Sequence, residues 1–434
     1  MKLKFCTKSL MAPPPFLQHL ATAFLALLLL SFNTSVAAKP SQLNQLIKIA
    51  VDNNPELKSR KLTWQSLIHQ YPQATAYADP MLTLTEAINP VETRLGSQDR
   101  VVALSQKLPF RGKRSLKGDI VKKDIEIAKA GFDKASRDLV VALKKSFYEL
   151  VYLENAIKLS LQNKVLLEKI THIATVDLAT KASTLNDVAK AQSQYAQVSF
   201  DVQLLEELRS TEITQINTLL NRNPEFQFSV NTGIRPPTKL KQPMARLYQW
   251  AESNEEVTIA DLHIQKSKVQ SKLSGYASLP DFTVGARYTQ IGERDDVASL
   301  RRNGRDGFAI NLGLNIPLNR TKNNAIKEQA KLAQFKKIED KKALKNRLNY
   351  QVKSIAFKLN NAYRQATLYR DNLIPQANRA MQIAELQYRE NKRSISAFLE
   401  TQSTWLNFQL AYQRAVADYW KNLTELEKLT GKKL

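Results

Sequence analysis

The sequence predicts a mainly α protein with a membrane β-barrel, built from long antiparallel coiled-coil helices and four strands per chain. Three observations carry that fold class: two very long stretches nearly free of helix breakers, two pairs of extended segments in which apolar and polar residues alternate, and a tandem repetition of this whole order. Glycine, 12 of 434 residues, is too scarce for a wholly β architecture, where a usual share is roughly 7%. At 43% hydrophobic and 24% charged, the chain is neither a disordered polyelectrolyte nor a polytopic helical membrane protein.

The first element is an address. Lys2, Lys4 and Lys8 precede an apolar run at 20–30, and Ser35-Val36-Ala37-Ala38 supplies small residues for cleavage, which is the order of a secretory signal peptide at 1–38. That run is shorter than the about 20 apolar residues of a retained anchor, and no later stretch is long and apolar enough for a transmembrane helix. Cys6, the single cysteine, leaves with the signal, so disulfides, Cys-ligated zinc and thiol catalysis drop out of the mature chain. Loss of those three lysines takes the formal charge from +24 to +21.

Two copies of one plan follow. The first repeat, 39–222, runs from a short helical stretch at 42–71 through Ala78-Asp79-Pro80 to strands at about 80–88 and 100–108, then a helical hairpin at about 113–222. A connector at 223–243 holds Pro224, Pro236, Pro237 and Pro243. The second repeat, 244–434, has a helical stretch at 245–276, Ser278-Leu279-Pro280-Asp281, strands at about 281–290 and 307–316, and a hairpin at about 322–430. Tandem duplication is the economical explanation.

Period 2 governs the strands. Phe308, Ile310, Leu312, Leu314 and Ile316 alternate with Ala309, Asn311, Gly313 and Asn315; Phe282, Val284, Ala286 and Tyr288 alternate with Thr283, Gly285, Arg287 and Thr289. Each strand thus has one apolar and one polar face. Phe282, Val284, Tyr288, Phe308, Ile310, Leu312 and Leu314 become the lipid-facing candidates. A half-buried strand of a soluble sheet shows the same period, but strands of roughly 9–11 residues in an exported chain fit an outer membrane. Four strands cannot close a barrel whose minimum is about eight, and an open edge in lipid leaves unpaired backbone groups. Two or three copies would give eight or twelve strands.

Helical reach points the same way. Residues 113–180 contain no proline and only Gly118 and Gly131, and a helix of that length extends about 100 Å. Ile125, Ala128, Phe132, Ala135, Leu139 and Ala142 keep heptad spacing, with large and alanine positions alternating. Returning helices follow the breaks Lys181-Ala-Ser-Thr184 and Asn391-Lys-Arg-Ser394, and Pro375 predicts a kink or break between 372 and 375.

Taken together, Ala78-Asp79-Pro80, Arg94-Leu-Gly96, Ser105-Gln-Lys-Leu-Pro-Phe-Arg-Gly-Lys-Arg114, Asp187-Val188 with Ala191-Gln192, and Asn217-Thr-Leu-Leu-Asn221 resemble the TolC-like outer membrane efflux proteins, over about 41–432. The resemblance implies a homotrimer with a twelve-stranded barrel, continued by an α-helical tunnel across the periplasm. It also implies a passive exit duct of a tripartite efflux or type I secretion system, docked to a periplasmic adaptor (membrane fusion) protein and an inner-membrane transporter. The strand count alone leaves two or three copies open; the resemblance selects three. Where the best-known members carry two acids at the second tip, the matching positions are Ala397 and Glu400, a single carboxylate.

Asp187, Arg393 and Glu400 are the gate candidates, because partly exposed ion pairs of ~0.2–1 kcal/mol suit a latch that opens on docking. Ordinary solvated charges on a helix surface are the plainer account of the same residues. Arg111-Gly-Lys-Arg114 is no phosphate loop, since Lys107 stands where the first glycine is required; following a strand, its basic side chains are placed to meet lipid headgroups. His69, His172 and His263 form no metal motif, no nucleophile elbow is present, and no cofactor or enzymatic activity is expected. The charge invites nucleic acid, but export and the absence of a recognised nucleic-acid fold set that aside. The competing class is a periplasmic coiled-coil scaffold or adaptor without a pore.

Overall fold

The computed structural model describes residues 42–179, 183–297, 301–389 and 395–434. The signal peptide, Lys181 and Ala182 of the first tip, and Arg393 with the rest of the second tip turn lie outside the described residues.

The element order is α1 (Gln42–Asn53), α2 (Pro55–Thr75), β1 (Met81–Glu86), β2 (Glu92–Thr93), β3 (Gly96–Leu108), α3 (Lys113–Ala179) and α4 (Leu185–Leu219), then α5 (Met244–Ala251), α6 (Glu255–Gly275), β4 (Asp281–Ile291), β5 (Gly307–Asn315), α7 (Arg320–Leu368), α8 (Ile374–Arg389) and α9 (Ile395–Thr430). Each early helical stretch, expected as one piece, is two helices. Pro55 sits at the first turn of α2, where a missing N–H costs nothing, and Asn54 caps it by accepting from the Leu57 amide at 3.1 Å. Asn254 caps α6 in the same way, accepting from the Glu256 amide at 2.8 Å.

Strands β1, β3, β4 and β5 form one antiparallel sheet in that order, with the short β2, not expected from the sequence, paired only to β3. The outer edges of the sheet are β1 and β5, one from each half of the chain. Gly96 turns into β3 at φ +126°, and a Cβ there would lie 1.6 Å from the Gly292 oxygen, so the corner admits only glycine.

Helix α3, 67 residues long, is the spine of the chain. Next to the sheet it lies between α2 and α6, with α7 beyond α6; farther away it lies between α4 and α9, with α7 and α8 beyond α9. Gly118 lets α3 approach α2, since a Cβ would meet the Thr75 methyl at 2.6 Å. The expected heptad seam is only half-buried except at Leu139, because α3 has neighbours on two sides. The closed core runs instead along Leu139, Leu143, Phe147 and Leu150, against Leu46 and Ala50 of α1 and Ile213 and Ile216 of α4. Its counterpart joins Leu348, Val352 and Leu359 of α7 to Leu247 of α5 and Leu423 and Leu426 of α9.

Pro375 does not end its helix. A five-residue π turn, Tyr369–Leu373, carries α7 into α8. Widening the turn accommodates the carbonyl that the proline ring would strike and the donor it lacks.

Candidate functional site

The sheet has no core of its own. Leu82 and Leu84 of β1 stand opposite Leu104 and Val102 of β3; these oppose Ala286 and Tyr288 of β4, which oppose Ile310 and Phe308 of β5. Val284 with Leu312 and Phe282 with Leu314 complete the same face. Most of these side chains are exposed, Leu312 by 81%, Phe308 by 71% and Ile310 by 70%, while Val284 is half-buried. The other face carries Thr83, Thr85, Ala103, Ser105, Thr283, Gly285, Arg287, Thr289, Asn311 and Gly313. From Phe282 to Tyr288 the band spans about 20 Å along the strand, near the ~25 Å of outer-membrane barrels. Aromatic side chains stand at both ends, Phe282 at one and Tyr288 with Phe308 at the other, where the Tyr288 hydroxyl donates to Asp306.

The strands are clamped to the helices at their base. Lys113 at the start of α3 donates to Asp281 at 2.8 Å and to the Leu279 carbonyl at 3.0 Å, and Asp281 also accepts the Phe110 amide at 3.0 Å. Arg114 donates to the Thr75 carbonyl at 2.8 Å and lies 3.4 Å over the Tyr77 ring. These two cations, expected at lipid headgroups, turn into the protein instead; Arg111 alone of that cluster's basic residues is exposed. The basic excess is uneven: α7 has thirteen Lys or Arg against three acids, whereas α4 has two against five.

At the opposite end Glu400 lines a groove between α4 and α9, and Asp187 lies outside it, bonded to the groove's Ser396. Asp187 is buried, not a surface charge. It forms a capping box with Thr184, whose hydroxyl donates to it at 2.6 Å and accepts from the Asp187 amide at 3.2 Å. Its second oxygen accepts from Ser396 of α9 at 3.0 Å, so this carboxylate ties the two hairpin tips together. The Thr184 hydroxyl foremost, helped by the Thr184 amide and Ser396, holds the acid below the ordinary carboxylate range against the opposing pull of burial. Lys190 donates to the same Ser396 oxygen at 3.2 Å. Glu400, one helical turn beyond Ser396, is exposed on a cavity of about 840 Å³ between α4 and α9, with Lys190, Ser193 and Asn407 on its walls. It makes no ion pair among the described residues, and no contact joins it to Asp187.

Three features were missed from the sequence. Asn54, besides capping α2, donates to the Leu219 carbonyl at 3.1 Å at the end of α4; Asn254 donates to the Lys428 and Leu429 carbonyls at 3.1 and 2.8 Å at the end of α9. The same side chain in each half therefore closes the foot of its hairpin. The signal was there in Asp52-Asn-Asn-Pro-Glu56 and Glu252-Ser-Asn-Glu-Glu256, 200 residues apart. Asn217, quoted above only as part of a motif, is fully buried and donates to the Pro224 and Phe226 carbonyls at 2.9 and 2.8 Å, which pins the connector. Midway along the wall, Glu149 of α3 accepts two bonds of 2.9 Å from Arg414 and one of 2.6 Å from Lys421, both on α9. Burial pushes Glu149 up, but these two cations outweigh it and leave the acid below its ordinary value. Glu212 of α4, without a cation in contact, is raised by burial.

Comparison with known proteins follows this geometry. Residues 247–432 match the outer membrane efflux protein family. No curated protein matches the chain. Among solved structures, the CmeC outer membrane channel of Campylobacter jejuni is similar at a TM-score of 0.74 and 14% identity, over 90% of this chain and 85% of that one. The outer membrane protein VceC of Vibrio cholerae is similar at 0.72 and 17%, over 90% and 96%. The open state of the MtrE outer membrane channel of Neisseria gonorrhoeae is similar at 0.72 and 15%, over 90% and 89%.

Proposed function

We propose, for a chain whose second half belongs to the outer membrane efflux protein family and whose fold is that of the TolC-like channels, that it is an outer membrane exit duct conducting substrates passively out of the cell. The observation that carries this reading is the sheet. Its exposed apolar face needs an apolar medium, its polar face suits water, and it ends in two unpaired edges.

Those edges also argue for assembly. The sheet ends in β1 on one side and β5 on the other, and the helical wall ends in α2 and α4 on the first side and in α7 and α8 on the second. A head-to-tail contact of unlike edges closes sheet and wall together into a ring, and three copies yield twelve strands. Exposed apolar side chains await partners on both helical edges, among them Phe200, Leu204 and Leu208 on α4 and Ile383 and Leu386 on α8. The helices then continue the barrel into the periplasm, from two repeats, 39–222 and 244–434, joined by the connector at 223–243.

In this reading the seven apolar strand candidates face lipid. The hairpin tips meet a periplasmic adaptor and, through it, an inner-membrane transporter. Asp187, Glu400 and Arg393 form the tip gate: Asp187 holds α4 to α9, and Glu400 lies open in the groove. Native mass in detergent of protein extracted from outer membranes, followed by planar-bilayer conductance of the same sample, tests the whole. A conducting trimer is expected. A water-soluble, non-conducting species would sink the barrel and favour the periplasmic scaffold.

A further inference from the structure

We propose that the barrel interior selects anions, through Arg287 near the outer end of the apolar band and Lys107 near the periplasmic mouth. The inference rests on the duct reading and adds to it the charge class of solute that the pore favours.

Parity assigns both cations to the polar face. Arg287 stands opposite Ala103 of β3 and Ala309 of β5, and Lys107 stands opposite Thr283, in the rows whose alternate positions form the apolar band. Arg287 is exposed and surrounded on this face by small side chains, with neither an ion pair nor a hydrogen bond among the described residues. Lys107 is exposed as well and has no ion pair among them. Asp281 on this face pairs with Lys113 at 2.8 Å and also feels Lys107 at longer range, so these three groups together keep one net positive charge, to which Arg287 adds a second. On the lipid side, by contrast, Arg100 is matched by Glu86 at 2.6 Å. Each copy therefore leaves two uncompensated positive charges toward the water-filled interior and none on the apolar face among the described strand residues.

In a closed ring, symmetry repeats each cation at one height. From the level of Lys107 to that of Arg287 is four residues, about 13 Å along the strand. That exceeds the ~10 Å screening length of 0.1 M salt only slightly, so the two rings act as one positive sleeve. Rings of Arg or Lys raise the local concentration of anions and repel cations, and low-dielectric barrel walls strengthen both effects. Anionic and neutral solutes pass this sleeve more readily than cationic ones.

Reversal potentials across planar bilayers under a potassium chloride gradient test the proposal. The unaltered pore is expected to pass chloride in preference to potassium, more strongly as salt is diluted. Arg287→Gln is expected to weaken the preference, Arg287→Glu to invert it, Arg287→Lys to retain it, and Lys107→Gln to weaken it less than Arg287→Gln. Native mass of each variant establishes that the same assembly is being read. A potassium-selective unaltered pore, or an assembled Arg287→Gln pore with unchanged selectivity, overturns the proposal while leaving the duct intact. Absence of conductance from the unaltered protein overturns the duct itself.

Discussion

The sheet and the helical wall distribute their apolar residues in opposite ways. In the wall, Leu143, Leu150, Leu359 and Leu426 are fully buried between helices, although apolar side chains such as Phe200 and Leu386 stay exposed at its edges. In the sheet, Leu312 and Phe308 lie on an open face, while threonine, serine, glycine and asparagine line the other. Helices can bury a stripe against one another within a single chain, whereas four strands in one layer cannot. The wall therefore supplies its own solvent-excluded interior, and the sheet, in the duct reading proposed above, takes one from lipid. Both layers still leave the same two edges unpartnered, so sheet and wall depend on the same closure.

A charge placed on either sheet face breaks this comparison most sharply. Leu312→Arg, at the middle of the apolar band, is expected to cost about 2–4 kcal/mol per copy by putting an ion at membrane depth. Asn311→Arg, one residue away on the opposite face, is expected to insert normally. The yield of assembled protein in outer-membrane fractions measures both, and equal yields would remove the inside–outside assignment.

Next in size is the ion cluster that joins the halves of the wall. Glu149→Gln removes the charge that Arg414 and Lys421 share and leaves them Asp418, at 3.8 and 3.2 Å, as their carboxylate, an expected loss of about 2 kcal/mol, below the 3–5 of a fully buried pair because the cluster is partly wet. Glu149 is depressed in the folded state, so its contribution is complete above the unfolded value near 4.3 and is lost as pH falls through the folded one. Glu212 has the opposite sign: its raised value means that the folded chain holds the proton better, and ionisation at neutral pH costs stability. Glu212→Gln is expected to raise the melting temperature at pH 7, Glu149→Gln to lower it by an amount that shrinks as pH falls below about 4.3, and circular dichroism melts carried from pH 8 into that acid range distinguish them.

The paired asparagines sharpen the comparison within the wall. Asn54→Ala and Asn254→Ala each remove a cap and leave carbonyls at the end of a hairpin unpaired, an expected loss of about 1–2 kcal/mol apiece. Because the two sites do the same task in each half, the thermal shifts are expected to be similar in size and close to additive at their separation.

Legibility followed periodicity. Strands β4 and β5 were readable because period 2 is strict there, β1 and β3 less sharply because their alternation is looser, and α3 because no proline in 113–179 interrupts it. Orientation in the turns was not, since period says nothing outside an element: Lys113 and Arg114 look like a headgroup cluster in sequence and become an internal clamp once Asp281 and Thr75 arrive from distant positions. The Asn54 and Asn254 closures escaped for a similar reason. Capping is a local signal, but the second bond of each, to Leu219 or Leu429, is visible only after the hairpin has returned. Asp187 was singled out as a charge and acts first as a cap, a role that Thr184 three residues earlier announces.

The smallest expected effect is at the tips, where structure and gating can be separated. Asp187→Asn keeps a side-chain acceptor for the start of α4 but lacks the charge, while Asp187→Ala loses both the capping box and the bond to Ser396, about 1 kcal/mol confined to the tip. Glu400→Gln alters neither cap nor link. If the tips gate the duct, Asp187→Ala is expected to raise the open fraction of single channels most and Asp187→Asn less, and Glu400→Gln to change conductance without changing amide exchange at 185–190. Protection of those amides distinguishes a frayed helix from a parted gate: faster exchange with unchanged conductance means that Asp187 is only a cap. Since Val188 and Ala191 of α4 also pack in one buried cluster with Ile395, Phe398 and Leu399 of α9, loss of the Ser396 bond is expected to loosen the tip without parting the hairpins and to leave the global melt unchanged.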